Sequence, residues 1–284
     1  IGRTKSNPQK VAHVHWGGGT PSVTPPAYFA KLMACLNTHF EILPEAEQAI
    51  ELDPRVLTEE IVEKYAATGL NRSSIGVHDF DPTVQQAINR VQPYDMTLQT
   101  VNWLRKYGMG AVNFDLIYGL PEQTLDTMKY SVDCTLEMRP NRVALFGYAH
   151  VPWMKKHQKL LEKYRLPNPE QRQEMFDMAA KMLVDAGYVK IGYDHFAVPE
   201  DSMAMAYKAG QLHRNFQGFT TDPAEYLINL GATSIGTLPG GYVQNHMDVG
   251  DWRAAVEAGI PATAKGVKIT QQDRLRRQLI ERVM

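Results

Sequence analysis

The chain has 284 residues, 44% of them hydrophobic and 21% charged, and a formal net charge of -1. That length can bury a full core as one large α/β domain, or as a barrel with the start of a second domain. The near-neutral balance gives no electrostatic reason for nucleic acid or an anionic membrane as partner, and the absence of any apolar run of roughly 18 residues argues against a transmembrane span. In chain order, short apolar runs predict strands at Val11–Trp16, Gln48–Leu52, Ser73–Val77, Ala111–Tyr118, Arg142–Tyr148 and Tyr188–Tyr193. Between them, helical periodicity covers Pro26–Thr38, Thr58–Thr68, Pro82–Arg90, Met96–Tyr107, Leu125–Met138 and Pro169–Ala186. Gly69, Gly108 and Gly187 stand just past the last apolar residue of three of these helices, where a left-handed residue ends a helix at little steric cost. Repeated strand-then-helix units predict a parallel α/β fold, either a barrel or a doubly wound sheet. Past Phe196 the pattern loosens. His213–Asn245 reads as a long loop crossing the open end, followed by helices from Asp248 and Thr270.

Polar residues gather just after the strands: Gly17-Gly18-Gly19-Thr20-Pro21, Glu51 to Arg55, His78-Asp79, Asp115 and Tyr148-Ala149-His150. In parallel α/β folds ligands bind at this end, because loops and helix N-termini converge there. Three consecutive glycines leave the backbone open to a ligand. They equally suit a tight strand-to-helix turn, and they match neither the phosphate-loop nor the dinucleotide pattern. Glu51 could bind hydroxyls or an ammonium, or pair with Arg55. Asp115 sits inside an apolar run, where an acid needs a partner, either ligand or Arg. Arg90 is either a solvated helix-end charge or a clamp for a carboxylate. Asp194-His195-Phe196-Ala197 and His213 to Phe219 mix aromatic, cationic and amide groups, as a flat acidic ligand or an ordinary packed loop would require. Two cysteines, Cys35 and Cys134, form neither a metal-ligand spacing nor a disulfide framework, and the nine histidines contain no metal pair. The first residues, IGRTKSNPQK, carry no signal-peptide core, so a cytoplasmic protein is expected.

Taken together, these residues resemble the oxygen-independent coproporphyrinogen III oxidases (dehydrogenases) of the radical S-adenosylmethionine superfamily. The motifs are His15-Trp16-Gly17-Gly18-Gly19-Thr20-Pro21, Ile50-Glu51-Leu52-Asp53-Pro54-Arg55, Ile75-Gly76-Val77-His78-Asp79-Phe80, Asn113 to Pro121, Tyr148-Ala149-His150, Asp194-His195-Phe196-Ala197 and Leu212 to Gly218. The resemblance implies a partial (β/α) TIM-like barrel over residues 1–196, a barrel-closing substrate and cofactor region over 197–247, and the start of a helical C-terminal domain over 248–284. It implies a [4Fe-4S] cluster and two S-adenosylmethionine molecules. Cleavage of one gives a 5′-deoxyadenosyl radical that abstracts a propionate hydrogen. Loss of CO₂ and an electron, at two propionates, then carries coproporphyrinogen III to protoporphyrinogen IX in haem biosynthesis. By the same resemblance Gly18, Glu51 and Ile235 contact the cluster-bound S-adenosylmethionine. Gly19, Thr20, His78, Arg90, Asp115 and Ala149 contact the second, and Arg214 and His195 are candidates for substrate carboxylates. A separate electron donor and a monomeric state are expected.

Two departures stand out. His78 occupies a position that is usually Gln in the family, and its imidazole is expected to make second-cofactor binding pH-dependent between about pH 6 and 8. The family's Cys-x-x-x-Cys-x-x-Cys loop, which holds three irons of the cluster, matches nothing in the sequence. The chain begins at Ile1 and ends within a helical pattern, so it reads as a segment whose cluster cysteines lie outside it, inactive by itself. The alternatives are a non-catalytic haem or porphyrin carrier and a radical enzyme that opens the haem ring.

Overall fold

The apolar runs become neighbouring strands of one sheet in a computed structural model, which describes residues 9–216 and 218–283. The chain divides into two compact units, Ile1–Ala204 and Met205–Met284. In the first, β1 (Gln9–Trp16), β2 (Phe40–Leu52), β3 (Arg72–His78), β4 (Ala111–Tyr118) and β5 (Arg142–Gly147) run parallel in sequence order. The helices α1 (Pro26–His39), α2 (Glu59–Ala66), α3 (Pro82–Ala87), α4 (Tyr94–Lys106) and α5 (Leu125–Met138) connect them. After α6 (Pro169–Asp185), two short strands, β6 (Val189–Ile191) and β7 (His195–Ala197), form a hairpin whose second strand pairs antiparallel with β5. Gly69, Gly108 and Gly187 take positive φ, as expected of helix terminators.

Three differences from the sequence reading have plain causes. The predicted last strand over Tyr188–Tyr193 is present but shortened to β6, which pairs only with β7 in this hairpin. β2 starts eight residues earlier than read, because its first half, Phe40-Glu41-Ile42-Leu43-Pro44, carries an acid and a proline. The register with β1 slips between Val11 and His13, and Pro44 sits in the bulge, where a missing N–H costs no ladder bond. The helix over Pro82–Arg90 ends at Ala87, and Asn89 then turns left-handed with φ 54°.

Strand alternation sorts the residues into two faces. Ile50, Leu52, Ile75, Val77, Val112, Phe114, Leu116, Val143 and Leu145 form one apolar core with helix residues such as Phe29, Val62, Leu104, Met128 and Leu183. The opposite face carries His13 and His15, Glu47 and Glu51, Arg72 and Ser74, Asn113 and Asp115, and Arg142. At the strand starts, Glu47 Oε2 meets Arg72 Nε at 2.8 Å and Arg142 Nη2 at 3.5 Å, while Asp201 meets Arg142 Nε at 2.7 Å and Arg72 Nη2 at 3.0 Å. In a flat sheet β2 and β5 would lie about 14 Å apart. That their side chains touch reports a sheet curled into a partial barrel, its concave face polar and floored by these ion pairs.

The second unit corrects the expected loop. His213–Asn245 contains the hairpin of β8 (His213–Asn215) and β9 (Gly218–Thr220), then β10 (Ile235–Leu238) and β11 (Gly241–Asn245). The two-residue Pro239-Gly240 turn closes β10 onto β11, and β11 pairs with β12 (Thr263–Lys268) to complete a three-stranded antiparallel sheet. This sheet spans residue 247, where a domain boundary is expected from the sequence. The helices expected from Asp248 and Thr270 are present at Val249–Glu257 and Gln271–Val283.

Candidate functional site

Each glycine of the turn after β1 has its own reason. A Cβ on Gly17 would stand 2.6 Å from both Glu51 Oε1 and His15 Nε2, whereas Gly18 and Gly19 take φ of 77° and 61°. Only glycine occupies such angles without strain. The turn thereby brings the Gly18 N–H to 3.0 Å from Glu51 Oε2, and His15 Nε2 lies 3.3 Å from Glu51 Oε1. These partners, the His15 hydrogen bond foremost, hold the Glu51 carboxyl below its usual range against the opposing effect of burial. Arg55 is not its partner: Arg55 grips Asp53 with Nε at 2.9 Å and Nη2 at 2.6 Å. Thr20 precedes the short 3-10 turn Pro21–Val23, in which buried Ser22 accepts the Asp53 N–H at 3.1 Å and locks the turn to the end of β2.

Arg90 folds back from the end of α3 over the strand ends. Its Nη2 donates to the Gly76 carbonyl at 2.5 Å and its Nη1 lies 3.9 Å from Asp53 Oδ2, but its buried Nε has no partner among the described residues. An orphaned donor on a buried guanidinium is costly unless a ligand meets it. Asp115 lies on the concave face in register with Gly76 and Ala144, and it hydrogen-bonds Ser74. Burial raises its carboxyl to about 6. The negative charge of Glu51 adds to this, and His195 and Arg90 oppose it. The apolar run around Asp115 therefore alternates: Phe114 and Leu116 fill the core while Asn113 and Asp115 face the concavity.

His78 turns left-handed at the end of β3, with φ 66°. Burial, reinforced by Arg90 and Arg55, lowers its imidazole to about 4. The expected titration between pH 6 and 8 is thus corrected, since a buried imidazole beside two guanidiniums stays neutral there. Ala149 is exposed just past β5, and its carbonyl accepts from Gln158 Nε2 at 3.0 Å. His195 Nδ1 sits 2.7 Å from Asp194 Oδ1, near the same strand end. The first unit thus brings Gly18, Gly19, Thr20, Glu51, His78, Arg90, Asp115 and Ala149 to one end of one sheet. Ile235 opens β10 and Arg214 lies over the Phe219 ring, both in the second unit.

Three groups escaped the sequence reading. His15, Ser74 and Asp53 each orient a predicted site residue. Period-two spacing, His15 to Gly17 and Ser74 to Gly76 to His78, was the signal that could have found two of them. Asp79 has a structural place instead. Fully buried, it accepts from the Asp81 N–H at 2.6 Å, Gln123 Nε2 at 2.6 Å and Ser131 Oγ at 2.9 Å.

The strand ends offer partners for a carboxylate (Arg90), an amine (Asp115) and vicinal hydroxyls (Glu51), with bare backbone at the glycines. S-adenosylmethionine has all of these groups. An iron–sulfur cluster does not fit the residues present. Cys35 is exposed on α1, Cys134 is buried in α5, and no group of three or more His, Cys, Asp or Glu among the described residues could hold a metal.

Comparison with known proteins agrees with this geometry. The family model described as the radical SAM superfamily matches residues 2–134. The fold is the partial barrel of radical S-adenosylmethionine proteins. The oxygen-independent coproporphyrinogen III oxidase of Bradyrhizobium diazoefficiens is 49% identical over 275 residues, covering 97% of this chain and 61% of that protein. The oxidase of the same name from Synechocystis is 39% identical, over 96% of this chain and 59% of that one. The solved coproporphyrinogen III oxidase of Escherichia coli, described as a radical SAM enzyme, superposes with a TM-score of 0.90 at 35% identity, covering 96% of this chain and 63% of that chain. Over almost its whole length the chain is thus similar to oxygen-independent coproporphyrinogen III oxidases. It spans about 61% of the length of the curated relatives it matches.

Proposed function

We propose that the whole protein carries out the anaerobic oxidative decarboxylation of coproporphyrinogen III to protoporphyrinogen IX. The observation that carries this is the strand-end constellation of Glu51, Arg90 and Asp115 around a side-chain-free glycine turn, in a chain 49% identical to an oxidase of that name. S-adenosylmethionine, when bound beside a reduced cluster, supplies a hydrogen-abstracting organic radical. The residues of this chain bind and orient. Glu51, fixed by His15 and the Gly18 N–H, takes ribose hydroxyls of one cofactor, with Ile235 as a further contact. Arg90 takes the carboxylate of a second through its free Nε, and Asp115 takes its amine. Gly19, Thr20, His78 and Ala149 complete that second site. The cluster is held by cysteines outside these 284 residues, and a separate donor reduces it. The reading includes a cytoplasmic, monomeric enzyme; no described helix is long and apolar enough to cross a membrane.

Calorimetric titration with S-adenosylmethionine tests the site. Gly17→Ala should weaken binding roughly tenfold or more by displacing Glu51, while the melting temperature stays close to wild type, since only flexible side-chain ends must move. Arg90→Ala should remove one of two binding events. Titrations of both variants that match wild type would overturn the assignment. Anaerobic turnover of the whole protein separates the reactions: protoporphyrinogen IX supports the proposal. Haem consumption would indicate ring opening, and porphyrin binding without turnover a carrier.

A further inference from the structure

Four large apolar side chains in the first unit are more than 70% exposed: Tyr193 at 81%, Trp153 at 74%, Met154 at 72% and Leu160 at 71%. Three of them share one segment. Trp153, Met154 and Leu160 belong to the segment that follows β5, and Tyr193 lies in the turn between β6 and β7, beside Asp194, whose carbonyl accepts the Leu145 N–H of β5 at 2.7 Å. The segment 151–165 is also strongly basic in a chain of net charge -1. It carries Lys155, Lys156, Lys159, Lys163 and Arg165 against Glu162 alone. Glu162 lies 3.5 Å from His150 Nε2, and Lys155, Lys156 and Lys159 form no ion pair among the described residues.

This ridge is fixed to the candidate site and is not a loose loop. Gln158 reaches back across the segment, accepting the Val151 N–H at 2.6 Å through Oε1 and donating to the Ala149 carbonyl at 3.0 Å through Nε2. Arg165 anchors the far end, its N–H on Glu122 Oε1 and its carbonyl on the Glu122 N–H, both at 2.8 Å. Between these clamps, exposed Trp153, Met154 and Leu160 flank the ammonium groups of Lys155, Lys156 and Lys159, which form no ion pair among the described residues. Apolar surface of this kind held in water marks a binding face, and interspersed lysines select an anionic partner.

We propose that the ridge of Trp153, Met154 and Leu160 with Lys155, Lys156 and Lys159 is the surface that captures the substrate at the mouth of the barrel. The proposal rests on the reading above that the substrate is coproporphyrinogen III, an apolar macrocycle bearing four propionates. The apolar side chains cover the macrocycle, and the lysines meet propionates not at the reacting position. The clamp on Ala149 keeps this surface in a constant relation to the strand end. Gln158 is a positioning residue.

Calorimetric titration of the whole protein with coproporphyrinogen III under anaerobic, reducing conditions tests this. Trp153→Ser and the combined Lys155→Glu, Lys156→Glu, Lys159→Glu variant should each weaken binding roughly tenfold or more, the latter with a flatter salt dependence than wild type. Both sites are exposed, so an unchanged melting temperature should accompany the loss. If wild type and variants bind equally tightly, the ridge is not the capture surface, while the substrate assignment stands. If wild type does not bind coproporphyrinogen III at all, the substrate assignment fails and the ridge falls with it. A third outcome also overturns the proposal: in the whole protein, variants that bind substrate normally but lose turnover only with an acidic protein as reductant, and not with a chemical one, would make the ridge a docking face for that protein.

Discussion

Two titratable groups of the concave site carry shifts of opposite sign. Asp115, raised to about 6 from its ordinary 3.8, binds its proton more tightly folded than unfolded, so its ionisation weakens the fold as pH rises from about 4 to about 6. Asp115→Asn is therefore expected to be more stable than wild type by up to about 3 kcal/mol above pH 6, the difference vanishing below about pH 4. Loss of S-adenosylmethionine affinity should accompany the gain, as is common where a site keeps a strained charge for function. His78, lowered to about 4 from 6.5, works the other way: stability is lost as pH falls through that interval. Denaturation midpoints of Asp115→Asn and wild type across pH 3 to 8 check the first expectation. For His78→Gln, cofactor titrations parallel to wild type between pH 6 and 8 are expected, with divergence only in acid.

At the scale of elements, the strand starts and strand ends serve opposite purposes. The ends leave groups incompletely satisfied, as at the Arg90 Nε. At the starts, Glu47, Arg72, Arg142 and Asp201 satisfy one another, tying β2, β3 and β5 to the segment entering α7 (Ser202–Lys208). Burial pushes the Asp201 carboxyl up, but Arg142 and Arg72 outweigh it and hold the group below 3.8. The stabilisation is thus present above that pH and lost as pH falls through the folded value. Asp201→Asn leaves two buried guanidiniums short of an anion, and its expected cost is roughly 3–5 kcal/mol at pH 7. Urea denaturation of both proteins should show this deficit at neutral pH and its disappearance in strong acid. A deficit under about 1 kcal/mol at pH 7 would mean that Glu47 alone balances the pair.

For the whole molecule, the proposed radical chemistry requires a cluster, and no group of three or more His, Cys, Asp or Glu among the described residues could hold one. A [4Fe-4S] cluster takes thiolate ligands, and here one of the two thiols is buried among α5 side chains while the other stands exposed on α1. Anaerobic reconstitution of the 284-residue protein with iron and sulfide is expected to yield no stable thiolate-to-iron absorbance after desalting. A stoichiometric, stable cluster would show that ligands other than cysteine suffice.

The sequence by itself determined the strand-then-helix order, the helix terminators at Gly69, Gly108 and Gly187, and the placing of the glycine turn, Glu51 and Asp115 on strand-end motifs. Each depends on local periodicity or backbone preference, which neighbouring residues carry. Arg90, by contrast, comes over the strand ends only by a tertiary contact with Gly76. The sequence also marked Gly17 to Gly19 without separating their roles. Only the tertiary structure decided that Gly17 is glycine because Glu51 and His15 crowd it, that Arg55 serves Asp53, and that His78 stays neutral. These are consequences of distance and burial between residues far apart in the chain. The same holds for β2, where Pro44 hid a strand that its bulge accommodates, and for the second unit, where strands that look like loop residues gain their form only by pairing, β8 with β9 and β11 with β10 and β12.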